Sequence, residues 1–239
     1  MDNGIYIALS RQMALFRDME ITANNIANMD TAGYKAEKLM FDDFLVRDSE
    51  SPKMAFTNDV SSYKDTRNGP MKATGNPMDM AISGDGYFTV DTPLGTRYTR
   101  AGNFQIDAQG MMVTNEGNAV LDDGGQPIIF GPEDNEITVG EAGNIIVDGE
   151  ERGFLGIVEF DNQQMLERLN STLYKSDSIP QPAANSRVLH GVVEGSNVQP
   201  VLELTRMIQV SRSTSGTAKL IEAQYELERK ASNTWAKQQ

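Results

Sequence analysis

Apolar and small residues recur at steps of three and four through the carboxyl-terminal residues 196–239. No proline follows Pro200, and Gly195, Ser196 and Asn197 are residues that often begin a helix. One set of positions holds Met207, Val210, Thr214, Thr217, Ile221, Gln224, Glu228, Ala231 and Trp235, and a parallel stripe holds Val201, Leu204, Ile208, Ser211, Ser215 and Ala218. The period of about 3.5 residues predicts one long helix of the coiled-coil type.

A helix of this length needs a partner to cover its apolar side. At about 1.5 Å per residue it would extend roughly 60 Å, which is more than one small domain can bury. Ser211, Ser215 and Gly216 leave little apolar area in its middle, so the isolated helix would be marginal. We therefore expect assembly to stabilise it. The alternative is a solvated amphipathic helix on a globular core.

The amino-terminal residues 3–28 carry the same spacing and predict a second long helix. Its stripe holds Ile5, Leu9, Gln12, Phe16, Met19, Ala23 and Ile26. Since both ends of the chain have the coiled-coil period, the simplest arrangement is an antiparallel pair of terminal helices.

The end of the first predicted helix is dense in residues that form helix caps and turns. Asparagine tolerates the left-handed backbone conformation, and glycine adopts it without strain. The residues concerned are Asn24, Asn25, Asn28, Asp30, Thr31 and Gly33. We expect a helix C-cap followed by a tight turn.

Residues 76–195 change from helical spacing to strand spacing. They contain 16 of the 21 glycines, and short apolar runs alternate with turn clusters. Strands separated by turns about every 8–12 residues predict an antiparallel β-domain. We expect residues 31–75 to be an irregular, partly extended linking region. The predicted fold class is therefore α+β, with paired terminal helices (1–30 and 196–239) flanking a central antiparallel β-domain (76–195).

The net charge of −13 lies in the middle of the chain. Residues 76–195 hold 19 acidic and 6 basic residues, whereas residues 1–75 hold 11 and 9 and residues 196–239 hold 4 and 6. This balance argues against a nucleic-acid partner. Nearly neutral ends suit a packed contact, and an acidic middle suits a solvated exterior.

The amino terminus and the absence of cysteine narrow the class of protein further. Asp2 stands where a secretion signal has a basic residue, and Ser10, Arg11 and Arg17 interrupt the apolar residues behind it. We therefore expect neither a signal peptide nor a membrane span. Without cysteine the chain has no disulfide, thiolate metal site or cysteine nucleophile.

The candidate catalytic and metal-binding residues form no convincing set. His190 is the one histidine, residues 84–86 precede a strand rather than a phosphate-binding helix, and residues 122–125 and 148–151 lack the spacing of a calcium loop. We predict no catalytic residue, no metal and no cofactor. The many carboxylates alone do not exclude a glycosidase-like enzyme.

Three separated groups of residues match the pattern of one known family. They are Ala23-Asn24-Asn25-Ile26-Ala27-Asn28 with Thr31-Ala32-Gly33-Tyr34-Lys35; residues 75–88 with Tyr98-Thr99-Arg100-Ala101-Gly102-Asn103-Phe104; and residues 196–201 with 205–212. In this order they resemble the flagellar rod and hook proteins, the axial proteins of the bacterial flagellum. The resemblance covers nearly the whole chain. The modest length and residues 58–68 favour a proximal-rod member over a distal-rod or hook member.

The resemblance implies a structural subunit rather than an enzyme. It implies export by the flagellar type III apparatus, a place in the periplasmic rod of the basal body, and partners that are copies of the chain and other proximal and distal rod proteins. No nucleic acid, small-molecule substrate or membrane insertion is expected. The expected assembly-interface residues are Leu9, Phe16, Met19, Asn24, Asn25, Ile26, Asn28, Gly33, Tyr34, Leu204, Ile208, Ser211, Ser215, Ile221 and Trp235. A secreted β-domain enzyme or adhesin with helical arms is the alternative from another class.

Overall fold

The computed structural model describes residues 2–46, 54–183 and 186–236, and they divide into two compact units. The helical unit contains α1 (Asp2–Ala27), β1 (Glu37–Val46), β2 (Met54–Lys64) and α2 (Pro200–Ala236). The β unit contains residues 28–36 and 65–198. The α+β class predicted from the sequence is confirmed, because two long helices flank a series of antiparallel strands.

Helices α1 and α2 contact each other within the helical unit. Arg206 Nη2 lies 2.9 Å from Asp18 Oδ1, and the Asn25 amide donates to Glu203 Oε2 at 3.4 Å. Asp18 precedes Asn25 in α1, whereas its partner Arg206 follows Glu203, the partner of Asn25, in α2. The two helices therefore run antiparallel.

Helix α2 begins at Pro200, four residues later than the sequence pattern suggested. Proline suits the first turn of a helix, where its missing N–H has no partner to lose. Ser196 and Asn197 do not cap this helix. Instead the Ser196 hydroxyl accepts a hydrogen bond from Val198 N, and the Asn197 side chain bonds to loop backbone in the β unit.

Residues 37–46 and 54–64 differ from the irregular linking region that we expected, and residues 47–53 of that region lie outside the described residues. Strands β1 and β2 pair antiparallel from Glu37 opposite Lys64 to Val46 opposite Met54, with a register shift between Asp42 and Asp43. The expectation of irregular structure was wrong for these residues because each strand pairs with partners that lie 8 to 27 positions away, which local spacing does not reveal.

The β unit is built from short antiparallel strands, as predicted from the spacing of turns and apolar runs. The strands are β3 (Met71–Ala73), β4 (Met80–Ser83), β5 (Tyr87–Thr92), β6 (Gly95–Thr99), β7 (Phe104–Ile106), β8 (Met112–Thr114), β9 (Ala119–Val120), β10 (Ile137–Val139), β11 (Asn144–Val147), β12 (Glu150–Phe154), β13 (Ile157–Glu159), β14 (Glu167–Arg168), β15 (Leu173–Lys175), β16 (Gln181–Pro182), β17 (Arg187–His190) and β18 (Val192–Glu194). A 3₁₀ turn, Gln163–Met165, precedes β14.

The largest sheet has nine strands. Its main path runs β14-β15-β6-β5-β9-β8-β7, and β13 pairs with both β5 and β16. A second sheet has the order β10-β11-β12, and the pairs β17-β4 and β18-β3 complete the unit. The pairs β18-β3 and β17-β4 bring the last strands of the unit back beside its first strands.

Three apolar clusters lie in the β unit: a large one, a smaller aromatic one, and a third formed by Tyr34, Ala36 and Val198. The larger cluster includes Met80, Phe88, Phe104 and Val188, and Phe88 packs edge-on against Phe104 with the ring centroids 5.0 Å apart. The smaller cluster is aromatic and includes Tyr87, Tyr98, Phe160 and Tyr174. The side chains of these clusters are therefore buried by residues of the same unit.

Candidate functional site

Three passages of the chain meet in the β unit at residues 28–36, 65–69 and 194–198, which we call the junction. Gly33 N donates to Glu194 O at 2.8 Å, and Asp65 N donates to Ala36 O at 2.8 Å. The Asn197 side chain accepts from Ala36 N and donates to Asp65 O, both at 2.7 Å. The junction therefore joins the segment that follows α1 to the segment that precedes α2.

The carboxylate of Glu194 lies at the centre of the junction. Its Oε1 atom accepts from Lys35 Nζ at 2.7 Å and from Gly69 N at 2.9 Å, and its Oε2 atom lies 3.2 Å from Arg100 Nε. The Glu194 and Lys35 side chains are 1% and 3% exposed. A buried charge is costly unless it is paired and hydrogen-bonded, and here one anion is surrounded by donors from three distant parts of the sequence.

Two cations share this single carboxylate. Burial lowers the pKa of the Lys35 ammonium from its usual value, and the nearby Arg100 guanidinium lowers it further, against the opposing effect of Glu194. Arg100 also donates to Asn68 Oδ1 at 2.6 Å, to Gly84 O at 2.7 Å and to Gly86 O. The site is therefore rich in positive charge and held rigidly by backbone carbonyls.

The turn between Asn28 and Lys35 packs against the rest of the β unit through Gly33 and Tyr34. Gly33 has φ of 67°, and a Cβ atom there would lie 2.4 Å from the backbone nitrogen of Ala101. Tyr34 is buried, with the Arg168 guanidinium carbon 4.4 Å from its ring centroid. Only glycine therefore satisfies both the backbone conformation and the close approach at position 33.

Asn25 joins three elements of the helical unit and lies in the last turns of α1, not in the turn where we expected it. Its amide exchanges two hydrogen bonds with the Glu37 backbone of β1, at 2.8 and 3.0 Å, in addition to its bond to Glu203 of α2. The side chain is almost fully buried. Asn24 also lies in α1, so the turn itself begins at Asn28.

The predicted apolar stripe of α1 does not provide its buried face, whereas the first predicted stripe of α2 includes the buried residues Val210 and Thr217. On α1 the buried residues are Ala14, Asp18, Thr22 and Asn25, and on α2 they are Glu203, Val210 and Thr217. Leu9 and Phe16 are 48% and 47% exposed, and Ile208 is 56% exposed. The buried positions of α1 are therefore small or polar, those of α2 include one apolar residue, Val210, and large apolar side chains on both helices are left in solvent.

The expected interface residues divide into three groups in the structure. Leu9, Phe16, Asn24, Leu204, Ile208, Ser211 and Ser215 are exposed; Met19, Ile26, Asn28 and Ile221 are half-buried; and Asn25, Gly33 and Tyr34 are buried within their own units. Trp235 lies in α2, and its side chain is outside the described part of the chain. The assembly role of all these residues remains a prediction.

Sequence reasoning missed the charged and amide groups of the junction as a site. Lys35, Arg100 and Asn197 stand inside the residue groups that carry the family resemblance, but Glu194 stands just outside them. Lys35, Arg100 and Glu194 each stand within two positions of a glycine, which could have drawn attention to them. No local sequence pattern, however, shows that a charged side chain is buried.

The described residues contain neither a group of metal ligands nor a helix that could span a membrane. Across residues 2–46, 54–183 and 186–236, no three or more His, Asp or Glu side chains are grouped so that they could hold a metal ion. Neither described helix is long and apolar enough to cross a membrane. His190, the lone histidine, has its Nε2 atom 2.8 Å from Pro77 O.

Three family models match successive parts of the chain. The model described as "Flagella basal body rod protein" matches residues 5–35, "Flagellar hook protein FlgE/F/G D1 domain" matches residues 81–147, and "Flagellar basal body rod FlgEFG protein C-terminal" matches residues 189–234. The junction includes residues 28–35 at the end of the first match and residues 194–198 near the beginning of the third.

Curated proteins from several bacteria are similar over most of their length. The flagellar basal-body rod protein FlgF of Caulobacter vibrioides is 38% identical over 238 residues, which are 97% of each chain. FlgF of Mesorhizobium japonicum is 36% identical, with 92% of each chain covered. The flagellar basal-body rod protein FlgG of Bacillus subtilis is 30% identical, with 91% of this chain and 93% of the relative covered.

Replacing Gly33 should separate the steric cost of this turn from its backbone strain. Gly33→Ala brings Cβ against Ala101 N, whereas Gly117→Ala has a similar positive φ of 82° and open space around Cβ. We expect Gly117→Ala to cost about 1–2 kcal/mol of unfolding free energy and Gly33→Ala to cost clearly more. Denaturant unfolding measures both, and equal losses would contradict the close fit.

Removing the charge of Glu194 should destabilise the β unit strongly. Glu194→Gln leaves Lys35 and Arg100 buried without an anion, and losing one partner of a buried pair costs about 3–5 kcal/mol. The control is Glu141→Gln in the exposed pair with Arg187, where we expect a loss below about 1 kcal/mol. Denaturant midpoints that coincide for the two variants would show that the Glu194 charge is not important for stability.

Proposed function

The chain belongs to the flagellar basal-body rod protein family, and we propose that it is a structural subunit of the proximal rod of the bacterial flagellum. Similarity to FlgF relatives over nearly the full length supports the proximal rod in particular. Members of this family assemble with other flagellar axial proteins. The proposed role is structural and involves no catalytic step or cofactor.

The observation that carries this proposal is the exposure of large apolar side chains along both terminal helices. Leu9 and Phe16 on α1, with Leu204 and Ile208 on α2, are about half exposed in the single chain. Large exposed apolar side chains that recur along a helix are typical of a binding site for another protein. Neighbouring copies, or related axial proteins that carry the same kind of helices, offer a complementary surface.

We infer that the terminal helices pack in coiled-coil fashion against those of neighbouring subunits. A contact between different faces of two copies does not close on itself and generates a helical filament. Small residues in the middle of α2, such as Ser211 and Ser215, allow a neighbouring helix to approach closely. Densely packed seams resist sliding, so such a tube can transmit torque from the motor to the hook.

The charge distribution supports an outward position for the β unit in the assembled rod. Residues 76–195 carry the entire excess of 13 negative charges, and the terminal segments are nearly neutral. Solvated acidic surfaces repel one another, whereas the neutral helices can pack. The proposal places the subunit in the periplasmic rod after export by the flagellar type III apparatus.

Two other functions remain as alternatives. A distal-rod or hook subunit would use the same helical seams, and the similarity to FlgG relatives is in keeping with that choice. A secreted enzyme or adhesin with helical arms belongs to a different class of function. For that class the helices would be stable without other axial proteins.

Circular dichroism and limited proteolysis of the purified monomer distinguish these classes. We expect helix content below that of α1 and α2 combined, and rapid cleavage at both ends, because the apolar faces lack partners. Addition of partner rod proteins should raise helicity and slow the cleavage. A monomer with full helix content and resistant ends would support the enzyme or adhesin class.

The substitution Ile208→Asp should abolish swimming. It puts a carboxylate at a position that assembly would bury, and burial of an unpaired charge is strongly unfavourable. In soft agar we expect the swimming zone of the mutant strain to shrink to that of a strain without flagella.

A matched control is Ile179→Asp, which makes the same change at an exposed position of the β unit. We expect this strain to swim normally, since the acidic exterior tolerates another charge. Normal swimming of the Ile208→Asp strain would refute the assignment of Ile208 to a seam.

A further inference from the structure

An amine, a carboxamide and a buried carboxylate meet in the junction of the β unit. Lys35 Nζ lies 3.3 Å from Asn68 Oδ1 and 2.7 Å from Glu194 Oε1. Lysine, asparagine and an acidic residue are the three groups needed to form an amide bond between two side chains. Lys35 and Asn68 are 33 positions apart in the sequence, so the fold alone brings them together.

We propose that Lys35 and Asn68 form an intramolecular isopeptide bond and that Glu194 transfers the proton. The neutral Lys35 amine attacks Asn68 Cγ, a bond forms between Nζ and Cγ, and the bond from Cγ to Nδ2 breaks. One proton of the amine passes through Glu194 to the departing nitrogen, which leaves as ammonia. The reaction needs no oxidant, reductant or other reagent.

The carboxamide is polarised for this attack. Arg100 Nη2 donates to Asn68 Oδ1 at 2.6 Å. Negative charge develops on this oxygen as the amine adds to Cγ, and a fixed cation stabilises that charge. The Asn68 residue is exposed, which gives the released ammonia a path to solvent.

The environment also favours the reactive form of the amine. Burial and the Arg100 charge lower the pKa of Lys35, which increases the fraction of neutral amine at a given pH. Glu194 is 2.7 Å from the nitrogen and is held there by Gly69 N and by Arg100. A proton acceptor at this distance is within reach for general base catalysis.

The backbone on either side of Asn68 is fixed in place. A Cβ atom at Gly69 would lie 1.9 Å from Gly195 O, so this passage of the chain touches the segment after Glu194 directly. The Arg67 carbonyl accepts from Lys35 Nζ at 3.0 Å. Both reacting side chains are therefore anchored by their neighbours, which reduces the entropy cost of reaching the reactive geometry.

The bond would close a covalent loop that contains the β1–β2 hairpin. Cross-links of this kind stabilise a fold by reducing the conformational entropy of the unfolded chain. They also resist mechanical separation of the two joined segments. The proposal concerns a single chain and does not depend on the identity of the assembled structure.

Mass spectrometry of the purified full-length protein tests the proposal. We expect the intact mass to be lower than that of the encoded chain by one ammonia molecule. After trypsin digestion, a peptide that ends at Lys38 instead of Lys35 should be joined to the peptide 68–72. The encoded mass together with separate peptides would overturn the proposal.

The Asn68–Gly69 sequence can also lose ammonia by forming a cyclic imide within the backbone. Matched variants distinguish the isopeptide bond from this imide. Lys35→Arg keeps the positive charge, and Asn68→Ser keeps a hydrogen-bonding oxygen, so both should fold yet retain their full encoded mass. Ammonia loss that persists in Lys35→Arg would assign it to the imide and refute the isopeptide bond. Glu194→Gln, checked for folding by circular dichroism, should also retain its full mass.

Discussion

A carboxylate removed from water needs ion pairs and hydrogen bonds, and Glu194 obtains them from three separate segments of the β unit. Lys35, Gly69 and Arg100 all approach its two oxygens. Because each donor comes from a different segment, the carboxylate positions all of them at once. The turn at Gly33 and the extended residues before α2 then follow from backbone bonds to this same region.

The two compact units differ in which side chains they bury. The β unit buries Phe88, Phe104 and their neighbours among its own strands. The helical unit pairs α1 and α2 through small and polar residues such as Ala14, Asp18 and Thr22, and leaves Phe16 and Ile208 in solvent. The exposed apolar residues of the helices support the proposed packing of neighbouring subunits against them.

The fold was predictable from the sequence where the signal is local and repeated. The steps of three and four at both ends indicated the helices, and the glycine-rich turns indicated the antiparallel strands. The β1–β2 hairpin was missed because its register depends on pairing between Glu37 and Lys64, which no short pattern encodes. Asn25 and Tyr34 were recognised as special residues, but their hydrogen-bond and ring partners come from distant segments. Glu194 was missed for the same reason.

Site-specific labelling in assembled basal bodies tests most directly whether the exposed helix faces are assembly seams. The chain contains no cysteine, so Ile208→Cys and Ile179→Cys each provide a single thiol. We predict that a maleimide labels both variants in the purified monomer and labels only Ile179→Cys in intact basal bodies. Equal labelling of Ile208→Cys in the monomer and in the basal body would contradict the proposed seam.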